Sequence, residues 1–415
     1  MSEISKQISP EEVGKRLLEA RKNRRLGQEE VAQALEISRP TLIAIEKGTR
    51  PAKPQELITL AKLYGRSLHE LVSSRPFIAG FAPQFRITQS ANILSSSVAE
   101  ATHIFQRACE NYLRLERWTD FSSSRSISAP DYDVSRNDAR KESIALMAEE
   151  IATLERSRLQ LGQGSLPDLM ETLENEAGLR VFVLPLDEFK IAGMFAYSDE
   201  MGGCILVNGK HPYTRQRWTV VHEYAHFLTD RYREEITLLA DYERRPLNEQ
   251  FADYFAAAFL MPEAGLRQRF RRIVQRANDF TVADLCQLAL QYGVSMEAMT
   301  RRLEQLRCIP AGMWDKLSAD GLKPSTLQSH LKIKTPEATR RHLPERYTRM
   351  AVQAFEEAQI TETELAGFLF CSRVEAREVV ERFTETTEIS ASGVVYQLSL
   401  DLDTSLSGLS SEVNP

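Results

Sequence analysis

The residues best placed to do chemistry lie in residues 219–230, TVVHEYAHFLTD, where His222 and His226 stand four apart and Glu223 follows the first. On a helix this spacing sets both imidazoles on one face, one turn apart, so each can offer a ring nitrogen to a single Zn2+ ion. Glu223 stands at the neighbouring angle. From there it can reach a metal-bound water without being a ligand, as a general base for hydrolysis must. Zinc lowers the pKa of such a water to about 7, so a carboxylate can take its proton at neutral pH. Two ordinary histidines on a half-buried helix would have the same spacing, and a third ligand is what separates the two readings.

Residues 248–262, NEQFADYFAAAFLMP, supply a candidate. Phe251, Phe255, Ala258 and Phe259 recur at helical spacing and the run stops at a proline. Glu249 and Asp253 fall i, i+4 on one face. Glu249 suits the third protein ligand, leaving a fourth position for water, and Asp253 can accept the N–H of a ligating imidazole and so fix its tautomer. The bland alternatives are a solvated helix carboxylate and a surface charge.

These helices need a scaffold. Residues 141–161 form an amphipathic helix through Ile144, Leu146, Met147, Ile151 and Leu154, and residues 167–177 a second one that Gly178 ends. LRVFVLPL then reads as a short strand, and 192–197 can pair with 202–208 as two more.

With those residues in view, His222-Glu223-x-x-His226, then Glu249-x-x-Ala252-Asp253-x-Phe255-Ala256 and Leu260-Met261-Pro262, resemble the ImmA/IrrE family of bacterial zinc metallo-endopeptidases. The lead-in CILVN followed by RQRWTVVHE is similar to that family as well, and the likeness covers about residues 141–265. Ala225 departs from it, since the family often has glycine there, but alanine is small enough for a close helix approach. The resemblance implies a zincin-like α+β body with a small sheet, Zn2+ as cofactor, and a protein substrate held by β-addition to an edge strand. Gly203, Cys204, Ile205, Leu206 and Val207 are the candidate edge; an internal strand is the equal alternative. A second electrophile for the oxyanion is not selected among His211, Tyr213 and Tyr232.

The 415 residues suffice for several domains, and the 42% hydrophobic and 27% charged fractions are ordinary for a soluble protein. No apolar run approaches a membrane span and the N-terminus has no apolar signal core, which predicts a cytoplasmic protein without a membrane partner. Five cysteines lie scattered without a C-x-x-C pair, against both a disulfide framework and a thiolate zinc site. Charge is uneven. Residues 1–75 hold fourteen Lys/Arg against ten Asp/Glu, a net +4, which leaves −10 of the overall −6 for the remainder. A basic head on an acidic body points to nucleic acid at the head alone.

That head reads as five helices, at 11–24, 28–35, 39–47, 54–64 and 67–71. The run Gln28-Glu29-x-Val31-Ala32-x-x-Leu35-x-Ile37-Ser38-x-x-Thr41-Leu42-x-x-Ile45-Glu46-x-Gly48 resembles the helix-turn-helix of phage-repressor-like regulators, the XRE class. The resemblance implies that the second helix enters the major groove of a double-stranded DNA operator. Arg39 is then a guanine reader, Thr41 a phosphate or thymine-methyl contact, Gln28 a phosphate contact and Ser38 the N-cap, with Lys47, Arg16 and Arg21 as further backbone candidates. Solvated surface charge is the plain alternative for each.

The whole is thus expected to be a mainly α multidomain chain. It comprises a helix-turn-helix head (1–75), a helical connector (76–140), the peptidase body (141–265), a helical C-terminal region (266–385) and a loosely ordered tail (386–415). Residues 281–306 pattern like another helix-turn-helix, of a kind expected to pack on the body. GLRQRFRRIVQRAND reads as one solvated helix side. The functional expectation is a DNA-binding regulator whose zinc endopeptidase cuts a repressor or itself, with a homodimer as default. The alternative is a regulator or antitoxin-like repressor whose body is a non-catalytic sensor or partner-binding module.

Overall fold

A computed structural model of the chain describes residues 9–23, 26–64, 71–72, 86–87, 96–119, 129–134, 141–187, 191–198, 201–231, 235–236, 247–331, 336–384, 387–389 and 395–397. Most of the expected fifth head helix, Tyr232 and most of the 386–415 tail lie outside these residues. Described residues fall into two compact units. The first extends to Pro344; the second takes the residues from Glu345 on, with Trp118 and Thr119.

The head has α1 (Pro10–Asn23), α2 (Gln28–Ala34), α3 (Arg39–Glu46) and α4 (Pro54–Tyr64) around Leu17, Val31, Leu42, Ile45, Leu60 and Tyr64. Its central turn has a definite construction. Glu36 adopts a left-handed φ of 54°, and the Ile37 amide donates to the Ala32 carbonyl at 3.0 Å. Ser38 then caps α3 by accepting the Thr41 amide, with Pro40 tolerated in the first turn. Beyond the head, α5 (Ser96–Trp118) is the long helix expected in the connector, and β1 (Arg86–Ile87) pairs in parallel with β5 (Glu235–Ile236).

The body begins with α6 (Lys141–Arg158) and α7 (Leu169–Ala177), the latter ended by Gly178 at φ 69°. A three-stranded sheet follows, made of β2 (Arg180–Leu184), β3 (Gly193–Ser198) and β4 (Gly202–Asn208) in the order β2-β4-β3. β2 runs parallel to β4, and β3 antiparallel. Helices α8 (Tyr213–Thr229) and α9 (Leu247–Leu260) carry His222, Glu223, His226, Glu249 and Asp253. Phe251, Phe255 and Phe259 stack along α9 with successive ring centroids 6.0 and 5.4 Å apart, and Tyr224 of α8 meets the last two edge-on at 5.9 and 5.7 Å. The core continues through Leu266, Leu285, Leu288, Met299 and Leu303, drawing in α10 (Glu263–Ala277), α11 (Val282–Tyr292) and α12 (Met296–Gln305). No break appears at the boundary drawn at 265. Helices α13 (Met313–Ala319) and α14 (Pro324–His330) follow, and an extended stretch then lays His342 antiparallel on Val183 of β2.

Two buried polar assemblies fasten this body. Arg156 donates to the carbonyls of Phe259, Gly164 and Gly162 at 2.6, 2.6 and 2.9 Å, tying α6 to α9, and burial pushes its pKa down to about 10. The neighbouring Glu155 carboxylate is fully buried. It accepts from the hydroxyls of Tyr224 and Tyr132 and pairs with Arg158. Tyr132 belongs to an extended strap, residues 129–134, that α8 also holds. The Tyr132 amide donates to the Leu228 carbonyl at 2.9 Å, and Arg231 donates to the carbonyls of Pro130 and Ala129 at 2.6 and 3.0 Å.

The second unit contains α15 (Glu345–Glu356), α16 (Glu362–Phe368) and α17 (Arg373–Thr384), packed through Tyr347, Met350, Leu365, Leu369 and Ala376, with a short β6 (Thr387–Ile389) and β7 (Val395–Gln397) hairpin. Among the described residues no helix is long and apolar enough to cross a membrane.

Replacing Arg156 with leucine keeps the bulk but strands the buried Phe259 carbonyl and removes the donor from the part-buried carbonyls of Gly162 and Gly164. A buried carbonyl left unsatisfied costs about 1–3 kcal/mol, so Arg156→Leu is expected to lower body stability by about that much. Urea unfolding followed by tryptophan fluorescence measures this, and an unchanged midpoint would contradict the role given to Arg156.

Candidate functional site

The helix that carries His222 and His226 was legible from their four-residue spacing, and α8 buries nearly every residue from Gln216 to Leu228. His222, Glu223 and His226 are thereby shielded from bulk water. Where α9 crosses α8, Glu249 comes over the two histidines. His222 Nε2 lies 3.3 Å from His226 Nε2 and 3.3 Å from Glu249 Oε2, and His226 Nε2 lies 3.3 Å from Glu249 Oε1. Among the described residues, His222, His226 and Glu249 are the group able to hold a metal ion.

Their orientation is fixed from behind. His222 Nδ1 is 3.2 Å from Asp253 Oδ1, as the i, i+4 pairing of Glu249 with Asp253 anticipated. His226 Nδ1 is 3.3 Å from Asp230 Oδ2, one turn along α8. In the tautomer that donates each Nδ1–H to its carboxylate, each Nε2 lone pair is directed at the shared point, where the three donor groups lie about 3.3 Å apart. Tetrahedral zinc, with ligand bonds of about 2.0–2.1 Å, sets its donors about 3.3 Å apart. The observed triangle therefore fits such an ion. Asp230 was missed in the sequence; its signal was present, because a carboxylate four residues after a ligand histidine shares its helix face.

Glu223 has no exposed surface and neither carboxylate oxygen has a hydrogen-bond partner. Burial pushes its carboxyl up to about 7, against the pull of His226 and His222. From the sheet, Gly193 at the start of β3 comes up against it. A Cβ at Gly193 would lie 2.4 Å from Thr219 Cγ2 and 3.1 Å from Glu223 Oε1, so only glycine lets the strand come this near.

This position corrects the edge-strand expectation. Gly203, Cys204, Ile205, Leu206 and Val207 lie in β4, which is the central strand, with β2 on one side and β3 on the other. No ladder hydrogen bonds remain there for a peptide. Periodicity cannot distinguish a central from an edge strand when both are apolar. The outer edge of β2 is taken at Val183 by His342, and the outer edge of β3 ends the sheet order. Tyr213, one of the electrophile candidates, opens α8 at the end away from His226 and accepts a hydrogen bond from Arg217 at 3.3 Å.

In the head, Ser38, Arg39 and Thr41 gather at the start of α3, where Ser38 Oγ and Thr41 Oγ1 are 2.8 Å apart. Arg39 donates from Nε and Nη2 to Gln28 Oε1, each at 3.4 Å, which links the first residues of α2 and α3. Gln28 in turn donates to the buried Glu46, whose carboxylate also takes Arg21 at 2.5 and 3.1 Å. Arg21 and Arg16 are therefore interior struts rather than surface charges, with exposures of 8% and 2%. Lys47 is the C-cap of α3, about 12 Å along the helix from Arg39 at 1.5 Å per residue.

Residues 174–304 match a family model described as the IrrE N-terminal-like domain, and residues 14–74 match one described as a helix-turn-helix domain. Over 58 residues the chain is 41% identical to the cryptic phage CTXphi transcriptional repressor RstR of Vibrio cholerae. That match takes in 14% of this chain and 52% of the relative, so the chain spans about half the length of the curated relative it matches. Among solved structures, ComR from Streptococcus suis aligns over 90% of this chain and 94% of its own at 12% identity and a TM-score of 0.15. The apo form of the competence regulator ComR from Streptococcus vestibularis aligns over 76% and 99% at 13% identity and the same score. Neither likeness carries an argument at that score.

Removing the carboxylate behind a ligand histidine typically weakens metal binding about 10–100-fold. Asp230→Ala and Asp253→Ala are each expected to lose about that much affinity for added Zn2+ in a competition titration with a fluorescent chelator. Unchanged affinity in either variant would remove that aspartate from the site.

Proposed function

This chain joins a helix-turn-helix domain to an IrrE N-terminal-like domain, and we propose that it is a DNA-binding transcriptional regulator whose body is a zinc-dependent endopeptidase acting on a regulatory protein or on itself. The observation that carries the reading is the site's convergence: three directed donors 3.3 Å apart beside a buried carboxylate with neither oxygen satisfied. Such an arrangement is costly without a cation and a water to complete it.

His222 and His226, through Nε2, and Glu249 are the residues that would hold the ion. Zinc there would acidify a water and polarise the scissile carbonyl. Glu223 accepts the proton of the attacking water and delivers it to the departing amine nitrogen, as a group next to one ligand but not itself a ligand can. Asp253 and Asp230 keep the two imidazoles in the ligating tautomer. The β3 edge that begins at Gly193 is where an extended substrate would add a strand, because it is the outer strand of the sheet and its backbone comes up against Glu223. At the other end of the chain Arg39 and Thr41, on the exposed start of α3, read base edges of an operator, with Gln28 bracing Arg39.

Glu223→Gln is the deciding variant. It is expected to keep Zn2+ and operator affinity while cleavage falls about 100- to 10,000-fold, the usual worth of a general base. Mass spectrometry of repressors co-expressed from the same host would read this out. Cleavage at the wild-type rate, or a wild-type protein purified without stoichiometric zinc, would sink the enzyme reading. Arg39→Ala is expected to relax operator choice by about 1–3 kcal/mol per lost base contact without changing cleavage, measured by competition between matched and mismatched duplexes.

A further inference from the structure

The turn that defines the head recurs in the C-terminal unit. In the head, α2 has seven residues, Leu35 continues it, Glu36 turns left-handed, and Ser38 caps α3. In the second unit α16 also has seven residues, Leu369 continues it, Phe370 turns left-handed at φ 52°, and Ser372 precedes α17. The correspondence holds at a constant offset of 334 residues, position by position. The Cys371 amide donates to the Ala366 carbonyl at 3.0 Å, as the Ile37 amide does to Ala32, and Ser372 Oγ accepts the Glu375 amide as Ser38 accepts that of Thr41. Leu365 and Ala366 are buried where Val31 and Ala32 are. Left-handed residues with the same hydrogen bond across them also end helices at Gln160, Arg307 and Ala358; what marks the shared supersecondary unit is their conjunction with a capping serine two residues on and a second helix directly after it. α15 packs on both helices as α1 does on α3 in the head.

A third turn of this kind shows what distinguishes a reading helix from a prop. Between α11 and α12, Gly293 is left-handed at φ 65°, the Val294 amide donates to the Ala289 carbonyl at 3.0 Å, and Ser295 caps α12. There the first turn of the second helix is interior: Met296, Met299 and Thr300 are buried in the body. In α17 the same turn faces outward. Arg373, Glu375 and Arg377 are exposed, Val374 is 64% exposed, and Ala376 alone of these five is buried.

We infer that residues 345–384 form a second helix-turn-helix whose α17 reads double-stranded DNA, with Arg373 and Val374 as the base-contacting side chains. This rests on the reading of the N-terminal head as a DNA-binding domain. Arg373 occupies the position of Arg39, immediately after the capping serine. The neighbouring charges are already committed: the Glu375 carboxylate accepts from the Ser372 amide and hydroxyl, at 2.8 and 2.9 Å, and Arg377 pairs with Glu362 at 2.9 Å. Glu362 opens α16 as Gln28 opens α2, so an arginine of the second helix is braced by the first residue of the preceding one in both units. A guanidinium matches the acceptor edge of guanine in the major groove, and a protruding valine matches a thymine methyl. Residues 345–384 hold five Arg against eight Glu. The unit therefore has little general attraction for phosphate, and its contact depends on the basic head holding the chain on the same DNA.

The test is selection from duplexes carrying about 40 random base pairs with the full chain as wild type, as Arg39→Ala, and as Arg373→Ala with Val374→Glu. Wild type is expected to enrich two unlike sequence elements. The Arg373/Val374 variant should lose one of them, binding duplexes that carry both about tenfold more weakly or worse, while Arg39→Ala degrades only the other. The inference is overturned if wild type enriches a single element, or inverted copies of one, that the Arg373/Val374 variant enriches equally. It is overturned equally if that variant keeps both elements but changes size on gel filtration, which assigns the face to a protein contact. No enrichment by wild type at all would bring down the reading of the N-terminal head and this inference with it.

Discussion

The crossing of α8 over α9 is the constraint on which the rest of the body depends. Two imidazoles and a carboxylate directed at one point are crowded together, and beyond the contact of Asp230 with His226 neither helix alone would hold them there. What holds them is aromatic packing a turn away, where Tyr224 lies edge-on to Phe255 and Phe259. Arg156 adds a clamp from α6 to the end of α9. Packed cores resist small displacements because interiors are close to crystalline density. The donor triangle thus borrows its rigidity from residues that do no chemistry.

Much of this was readable from residue order. His222, His226, Glu249 and Asp253 announce themselves by spacing, since a helix converts a separation of four into a shared face. The turn at Glu36 and the cap at Ser38 were likewise fixed by local chemistry. Pairing order in the sheet was not readable: β4 and β3 are both short apolar runs, and which of them lies inside depends on β2 joining β4 in parallel, a long-range event. The fate of Arg16 and Arg21 was hidden for a similar reason, since a charge is assigned to the surface unless its partner is seen, and Glu46 lies 25 residues from Arg21. The boundary at 265 rested on the end of a motif. The apolar residues of α11 and α12 carry the same core across it.

Three turns of one construction, at 35–38, 292–295 and 369–372, do not have one role. Their backbone geometry is set by the same local rules, and they differ in what covers the helix that follows. Where Met296 and Met299 are packed, the turn is a building part of the body; at Arg39 and Arg373 the same geometry leaves the side chains open to solvent. Accessible surface, more than pattern, separates the two uses.

The strap at 129–134 has a consequence for where this body can be said to begin. Family matching starts at residue 174, and the long helix α6 starts at Lys141. Yet the Glu155 carboxylate, with no exposed surface, takes one of its hydrogen bonds from Tyr132. A fragment cut at Lys141 would withdraw that hydroxyl, release the Leu228 carbonyl, and leave the Arg231 guanidinium without the two main-chain acceptors of Ala129 and Pro130. The smallest piece able to keep α8 in place therefore starts upstream of Ala129, about 45 residues before the point where kinship becomes recognisable.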